Sequence, residues 1–199
     1  GSIGVKAIDK NNGKIYQGFG DIIFTHYGIS GPAILSASSY MTHAVVKGGK
    51  ITLDLFPEFT DMQIDALLRE FLGKSTAESI EKTLRKLNLT SRFIDALVQT
   101  AGITAGKKSC ETTKQERKRL SLLLKCFEMR IKSLRPMEEA MVTSGGVCVD
   151  EINPRTMESR IVKGLYFAGE VMDVDADTGG YNLQIAFSTG RVAGMNCGK

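Results

Sequence analysis

Hydrophobic and polar positions change their period twice along this chain. Ile51-Thr-Leu-Asp-Leu55 alternates strictly, the period of a strand with one face in water. The stretch before it has the same character. Val5–Asp9 and Lys14–Gln17 flank Asn12-Gly13, a type I′ hairpin signal, and Asp21–Thr25 continues as a further strand. After the turn His26-Tyr-Gly-Ile-Ser-Gly31, Pro32 suits the first position of a helix, capped by Ser30 or Gly31 and carried by Ala33–Met41. Val45-Val-Lys-Gly-Gly-Lys50 reads as a second hairpin turn, and Pro57 ends the strand that follows it.

From Asp61 the period is helical. Ile64, Leu67, Leu68, Phe71 and Leu72 form one apolar stripe. Ser75 with Glu78 predicts a capping box for a helix bearing Ile80, Leu84 and Leu87. Thr90 opens another with Phe93, Ile94, Leu97 and Val98, and Thr113 with Glu116 caps a fourth that runs to Leu124. Short helices on short loops predict a compact helical insertion without a catalytic constellation. Alternation returns at Phe127–Lys132; Pro136 marks a turn, and Met137–Val142 is expected to be a further strand. Leaving a β-rich unit at Pro57 and re-entering it near Cys126 is the pattern of one domain inserted into another.

The last third is organised around Val162–Gly194. Leu165-Tyr-Phe-Ala168 is a short apolar run between Gly164 and Gly169, which predicts a strand buried on both faces as in a parallel sheet. Asp173 puts a carboxylate beyond its end, and Gly179-Gly180 precede a helix starting near Tyr181. A glycine loop running into a helix N-terminus gathers free N–H groups and the positive dipole end, suited to an anionic or electron-rich group. Thr143-Ser-Gly-Gly-Val147 marks the crossing into this part, and Glu151–Ser159 is expected to form a hairpin turning at Asn153-Pro154.

Composition narrows the picture by exclusion. The chain has 199 residues, 42% of them apolar, enough for a sizeable core, and a formal net charge of only +4. Lys114, Arg117, Lys118 and Arg119, interleaved with Gln115 and Glu116, read as the solvated face of a helix, and neither a nucleic-acid nor a membrane partner is expected. Cys110, Cys126, Cys148 and Cys197 lack paired short spacing, and with only His26 and His43 beside them no metal site is expected. Scattered cysteines fit a reducing cytoplasm.

Gly164-Leu-Tyr-Phe-Ala-Gly-Glu-Val-x-Asp-Val-x-x-x-Thr-Gly-Gly-Tyr-Asn-Leu-Gln-x-Ala186 resembles the C-terminal flavin signature of the BaiN-like NAD(P)/FAD-dependent oxidoreductases, which include aminoacetone oxidase-type flavoproteins. Phe24-Thr-His-Tyr-Gly-Ile-Ser-Gly-Pro32, Val142-Thr-Ser-Gly-Gly-Val147 and Thr156-Met-Glu-Ser159 match the same family, in order along the chain. The resemblance implies FAD as cofactor and NAD(P)H as a possible electron donor. Gly169, Glu170 and Asp173 would lie along the ribityl and pyrophosphate; Gly179, Gly180, Tyr181, Asn182 and Leu183 would meet the isoalloxazine ring; Ser144, Gly145, Gly146 and Val147 would approach the flavin at a domain junction. His26 is a weak catalytic candidate, equally readable as a hydrogen-bonded turn residue.

The Gly-x-Gly-x-x-Gly loop that holds the ADP half in this family does not occur in this chain; Gly18-Phe-Gly20 is followed by Ile23 where the third glycine belongs. The chain therefore reads as a C-terminal portion whose missing N-terminal flavin-domain segment is its first partner. The expected fold class is α+β: a β-barrel-like domain (1–56 and 126–142), a helical insertion (57–125) and the C-terminal part of a Rossmann-type FAD-binding domain (143–199). The expected activity is flavin-mediated hydride transfer on a small organic substrate, of the amine oxidase type with oxygen as acceptor. An NAD(P)H-dependent flavin reductase of an unsaturated or ketone substrate is the alternative, and a non-catalytic flavin-binding structural or sensing module stands as a reading of another class.

Overall fold

The structure, a computed structural model, describes residues 2–41, 48–75 and 77–198. The expected hairpin turn at Val45–Lys50 lies largely outside them. The chain forms two compact units, one of Gly1–Asp21 with Gly49–Arg130, the other of Ile22–Gly48 with Ile131–Lys199. The α+β expectation holds: small antiparallel sheets are combined with helices.

In the first unit, β1 (Ile3–Ile8) and β2 (Lys14–Gly20) form the hairpin signalled by Asn12-Gly13, but through the longer connection 9–13 and not the expected type I′ turn, because Gly13 does not share the left-handed conformation of Asn12. Asn12 takes a left-handed φ of 63°, and the Asp9 carboxylate accepts from the N–H groups of Asn11 and Gly13 at 2.8 and 2.7 Å. The carboxylate thereby ties both sides of the turn. With β5 (Lys50–Asp54) and β6 (Phe127–Arg130) these strands make an antiparallel sheet in the order β2-β1-β5-β6. Residues 54 and 127, far apart in sequence, end up on adjacent strands, Leu53 pairing with Phe127. Val5, Ala7, Ile51 and Leu53 are buried.

The helical elements lie between β5 and β6. They are α2 (Asp61–Lys74), α3 (Ile80–Leu84), α4 (Ser91–Thr100) and α5 (Lys114–Lys125). Ile64, Leu68, Ile80, Leu84, Ile94, Leu97, Leu120 and Leu124 are each at most 1% exposed, so the helical stripes read from the sequence meet in one core. The Thr113–Glu116 capping box forms in both directions. The Ser75–Glu78 box does not. Ser75 ends α2, and its hydroxyl is held by Lys86 at 2.6 Å, while Ser79 caps α3 by accepting from the Lys82 N–H. The chain needs an extra turn to leave α2, which moves the cap four residues on.

The second unit begins with a short hairpin, β3 (Ile23–Thr25) and β4 (Gly28–Ser30), and continues into α1 (Pro32–Ser39). Pro32 opens that helix as expected, after Gly31 at φ 102° with no side-chain cap. Further along, Ile152 bridges Ser159 across the turn at Asn153, giving the expected reversal. Ile152, Met157 and Met172 form a small core against which Val147, Phe167, Val192 and Ala193 pack. The unit ends in α6 (Tyr181–Asn196).

Two expected strands are absent there. Met137–Val142 holds a 3₁₀ turn at Met137–Glu139 instead, because Glu139 folds back onto the Arg135 guanidinium four residues earlier and the backbone closes locally. Leu165–Ala168 is extended but makes only a single bridge, Tyr166 to Glu158, and Leu165 is 42% exposed. Its apolar character is used by Phe167 in the small core rather than by a two-sided sheet.

Candidate functional site

The residues singled out by the glycine loops gather in the second unit. Gly180 sits at φ 89° and ends the loop as the N-cap of α6, contributing no side chain to the first turn. The first helical bond is Gln184 N–H to the Gly180 carbonyl at 3.0 Å. The N–H groups of Tyr181, Asn182 and Leu183 therefore precede the helical ladder and lie at the positive end of a 16-residue helix. A Cβ placed on Gly180 would meet nothing within 4 Å, so the turn faces open space. Tyr181 and Leu183 are 61% and 62% exposed.

The loop before this helix is held by side chains on three sides. The Asn182 amide closes a ring with Ala176, accepting from its N–H and donating to its carbonyl, both at 2.8 Å. Asn182 is thus turned back into the protein, and only its backbone N–H is directed to the helix mouth. Thr178 N–H donates to the Ser36 hydroxyl of α1 at 3.2 Å, joining the loop to the helix that follows the β3–β4 hairpin. Gly169 N–H donates to Thr189 Oγ1 at 3.0 Å, pinning the Gly169–Val171 turn against α6. Ser36 and Thr189 escaped sequence reasoning because nothing local distinguishes them from ordinary helical hydroxyls.

The Ser144–Val147 element is drawn to the same place by a parallel bridge. Val147 N–H donates to the Val171 carbonyl at 2.8 Å, and Asp173 N–H donates to the Val147 carbonyl at 2.9 Å. Gly146 is required for this approach: a Cβ there would stand 2.5 Å from the Val171 carbonyl oxygen. Gly145, at φ 100°, has open space where a side chain would go. Ser144 donates to Asp175 at 3.4 Å. Glu170 and Asp173 are exposed, and with Asp175 and Asp177 they make the approach to the turn acidic. Hydroxyl donors suit such a rim better than a second anion does.

His26 lies exposed on the turn between β3 and β4 and meets Tyr27 edge-on at 4.8 Å. The Tyr27 ring carries the Arg135 guanidinium at 4.3 Å, and Glu139 clamps that guanidinium and raises its pKa. Among the described residues no group of three or more His, Cys, Asp or Glu is arranged to hold a metal ion. No helix there is long and apolar enough to cross a membrane.

A flavin fits the donors present. Outward N–H groups at a helix start suit a carbonyl edge that gains electron density, the open space at Gly180 and Gly145 admits a flat ring, and the carboxylate rim suits a polyhydroxyl chain.

Fold and site together define a protein in which a small antiparallel sheet carries a helical cluster and a separate unit presents a braced glycine turn. The HI0933-like protein barrel and H2TH domain matches residues 3–142, and the chain belongs to this family. It is 34% identical over 182 residues to the ribosomal RNA dihydrouridine synthase of Escherichia coli (strain K12), covering 92% of this chain and 43% of that protein. It is 30% identical over 177 residues to the 3-dehydro-bile acid delta(4,6)-reductase of Clostridium scindens, covering 88% and 43%. The ribosomal RNA dihydrouridine synthase of Haemophilus influenzae is 31% identical over 171 residues, covering 86% and 40%. The chain thus spans about two fifths of the length of these relatives. They are enzymes of the oxidoreductase and dihydrouridine synthase type.

Proposed function

We propose that this chain is part of an FAD-dependent oxidoreductase of the BaiN-like type that reduces an activated carbon–carbon double bond, with NAD(P)H as electron donor. The observation that carries the flavin reading is the braced turn at Gly179–Leu183, with its outward N–H groups and open face. The names of the relatives favour reduction: a dihydro- product in one case, a delta(4,6)-reductase in the other. They favour the reductase alternative over the amine oxidase with oxygen as acceptor. When bound, the flavin supplies two-electron transfer to the substrate.

Each site residue then has a defined task. The N–H groups of Tyr181, Asn182 and Leu183 stabilise negative charge at the ring edge, and one aligned donor is worth about 2.7–4 kcal/mol in comparable sites. The Asn182–Ala176 ring and the Ser36–Thr178 bond keep those donors aimed. Glu170 and Asp173 accept from ribityl hydroxyls. Gly145 and Gly146 let the backbone approach the cofactor. Saturating a double bond also requires a proton on the carbon that does not receive hydride. His26 is the candidate donor, on the hairpin that leads into α1 and so to Ser36.

The same reading assigns a cover to α6. None of its residues is buried, and Leu183 and Phe187, one turn apart, are 62% and 72% exposed. The remainder of a Rossmann-type flavin domain, carrying the Gly-x-Gly-x-x-Gly segment, would pack there and grip the ADP half. The test uses the full-length protein. Under anaerobic conditions NADPH or NADH should bleach its flavin absorbance, and a conjugated enone should restore it faster than oxygen or a primary amine does. Rapid reoxidation by oxygen with bleaching by aminoacetone would overturn the reductase reading, and a colourless preparation that cannot be reconstituted with FAD would overturn the flavin.

A further inference from the structure

The β3–β4 hairpin closes in two residues, and both carry rings. Thr25 pairs with Gly28, which leaves His26 and Tyr27 at the tip, and Thr25 Oγ1 donates to the Gly28 carbonyl at 3.1 Å. Two-residue hairpin loops favour glycine or asparagine, because the turns that match strand twist need left-handed residues. Neither His26 nor Tyr27 is left-handed; the positive φ falls on Gly28, at 151°. The usual turn residues are thus replaced by two aromatic rings, both exposed, Tyr27 at 49%. Local backbone preference does not call for them.

Exposed side chains on a loop tip are ordinarily mobile, yet here one ring is loaded from the side by a distant segment. The Arg135 guanidinium stands 4.3 Å from the centre of the Tyr27 ring, within reach of a cation–π contact. It comes from the stretch just before the 3₁₀ turn at Met137–Glu139. Glu139 on that turn accepts from Arg135 Nε at 2.8 Å, and Nη2 donates to both of its oxygens. The fork of the guanidinium is therefore filled, and Arg135 has no bidentate edge left there for a substrate carboxylate. What it offers is a fixed cation against an aromatic ring. Tyr27 in turn meets His26 with the ring centres 4.8 Å apart and the planes 78° apart. Glu139, Arg135, Tyr27 and His26 form one line of contacts built from two segments far apart in sequence.

We infer that Arg135 and Tyr27 are positioning residues for His26: the clamped guanidinium holds the Tyr27 ring, and that ring fixes the plane from which the imidazolium gives its proton. The inference rests on the reading of His26 as proton donor in the proposed reduction. In that step the imidazolium N–H bond breaks and a C–H bond forms with an electron pair of the substrate double bond, while reduced flavin is the source of the hydride for the other carbon. The neutral imidazole regains its proton from water, which its exposure allows. A donor that must meet one carbon in one orientation gains from a fixed ring, since a misplacement of about 1 Å can cost about 10²-fold in rate.

The experiment uses the full-length protein with isotope-labelled histidine. One arm reads the His26 imidazole resonance by NMR, assigned by its loss in His26→Gln. Beside Tyr27 that resonance carries a ring-current shift; Tyr27→Leu and Arg135→Ala should each move it toward the position of a free histidine, and Tyr27→Phe, which keeps the ring, should not. The other arm measures reoxidation of the NADPH-reduced flavin by cyclohexenone, taken relative to the rate of bleaching by NADPH in the same variant. Reoxidation should fall about 10²–10⁴-fold in His26→Gln and about tenfold or more in Tyr27→Leu and Arg135→Ala, and Tyr27→Phe should restore it. Tyr27→Leu added to His26→Gln should slow it no further, since a residue that acts through His26 has nothing to position without it. An additive loss in that double variant, a Tyr27→Phe protein as slow as Tyr27→Leu, or an unmoved His26 resonance would each overturn the inference. A wild-type flavin that NADPH does not bleach would fail the reductase reading instead, and the His26 resonance would still decide whether the stack holds the ring.

Discussion

At the scale of single residues, the glycines of this chain divide by what a methyl group would meet. At Gly146 a Cβ would lie 2.5 Å from the Val171 carbonyl oxygen and 2.7 Å from the Met172 carbonyl carbon, both backbone atoms that cannot swing away. Gly146→Ala should therefore break the bridge between 147 and 171–173, costing about 1–3 kcal/mol and lowering the flavin-to-protein absorbance ratio of the full-length enzyme. Gly73 is the opposite case: it lies in α2, and a Cβ there would meet nothing within 4 Å. Gly73→Ala should raise stability by about 0.4–1 kcal/mol in a denaturant titration, through the entropy of the unfolded chain. Asn182 makes a third case. Asn182→Ala removes both bonds to Ala176, and flavin affinity should fall more than thermal stability does; a parallel fall in both would mark a purely structural amide. The glycine pairs were visible in the sequence as motifs. The inward turn of Asn182 was not, since an Asn after Gly-Gly reads equally well as an outward donor.

At the scale of elements, α5 is stabilised by features that the sequence displays in order. Thr113 and Glu116 form the reciprocal cap, and Thr113→Ala should cost about 1 kcal/mol by thermal or denaturant unfolding. Three ion pairs tie α5 down: Lys107 to Glu116, Arg117 to Asp65 on α2, and Lys125 to Asp54 on β5. The hydrogen bond from Arg117 holds the Asp65 carboxyl below its ordinary 3.8, and that from Lys107 holds Glu116 below its ordinary 4.5. A carboxyl depressed on folding contributes stability above its unfolded pKa and loses it as pH falls through the folded one. The contribution of these two pairs to the unfolding free energy should thus be flat above about pH 5 and decline below it, and Asp65→Asn should flatten part of that decline. An unchanged acid profile in Asp65→Asn would show that the pair contributes nothing net. The helices and their stripes were legible because period and cap are local properties. The strand expected at 137–142 and the buried strand at 165–168 were not, because a strand exists only where another strand pairs with it.

At the scale of the whole molecule, the cofactor reading predicts a chain that is an incomplete holder of FAD. Its contacts are confined to the turn at Gly179–Leu183, the Gly169–Asp173 segment and Ser144–Val147, and no Gly-x-Gly-x-x-Gly loop is present for the ADP half. Isothermal titration of the 199-residue chain with FAD should therefore show binding weaker than micromolar, and submicromolar affinity would contradict this. The apolar face of α6 should bind a hydrophobic dye in the same preparation, since Leu183 and Phe187 are exposed. The sequence by itself determined the mixed α+β class, the β1–β2 hairpin, the helical stripes of residues 61–124, the start of α1 at Pro32, the cap at Thr113, and the glycine turn entering α6. Each of these follows from local backbone preference or from the period of apolar side chains. Only the tertiary structure decided that Leu165–Ala168 would serve a small core instead of a parallel sheet, that Ser36 and Thr189 would brace the glycine loops, and that Arg117, read from the sequence as part of a solvated face, would turn inward to Asp65. Those outcomes depend on which distant residue arrives as a partner, and neither spacing nor composition encodes that arrival.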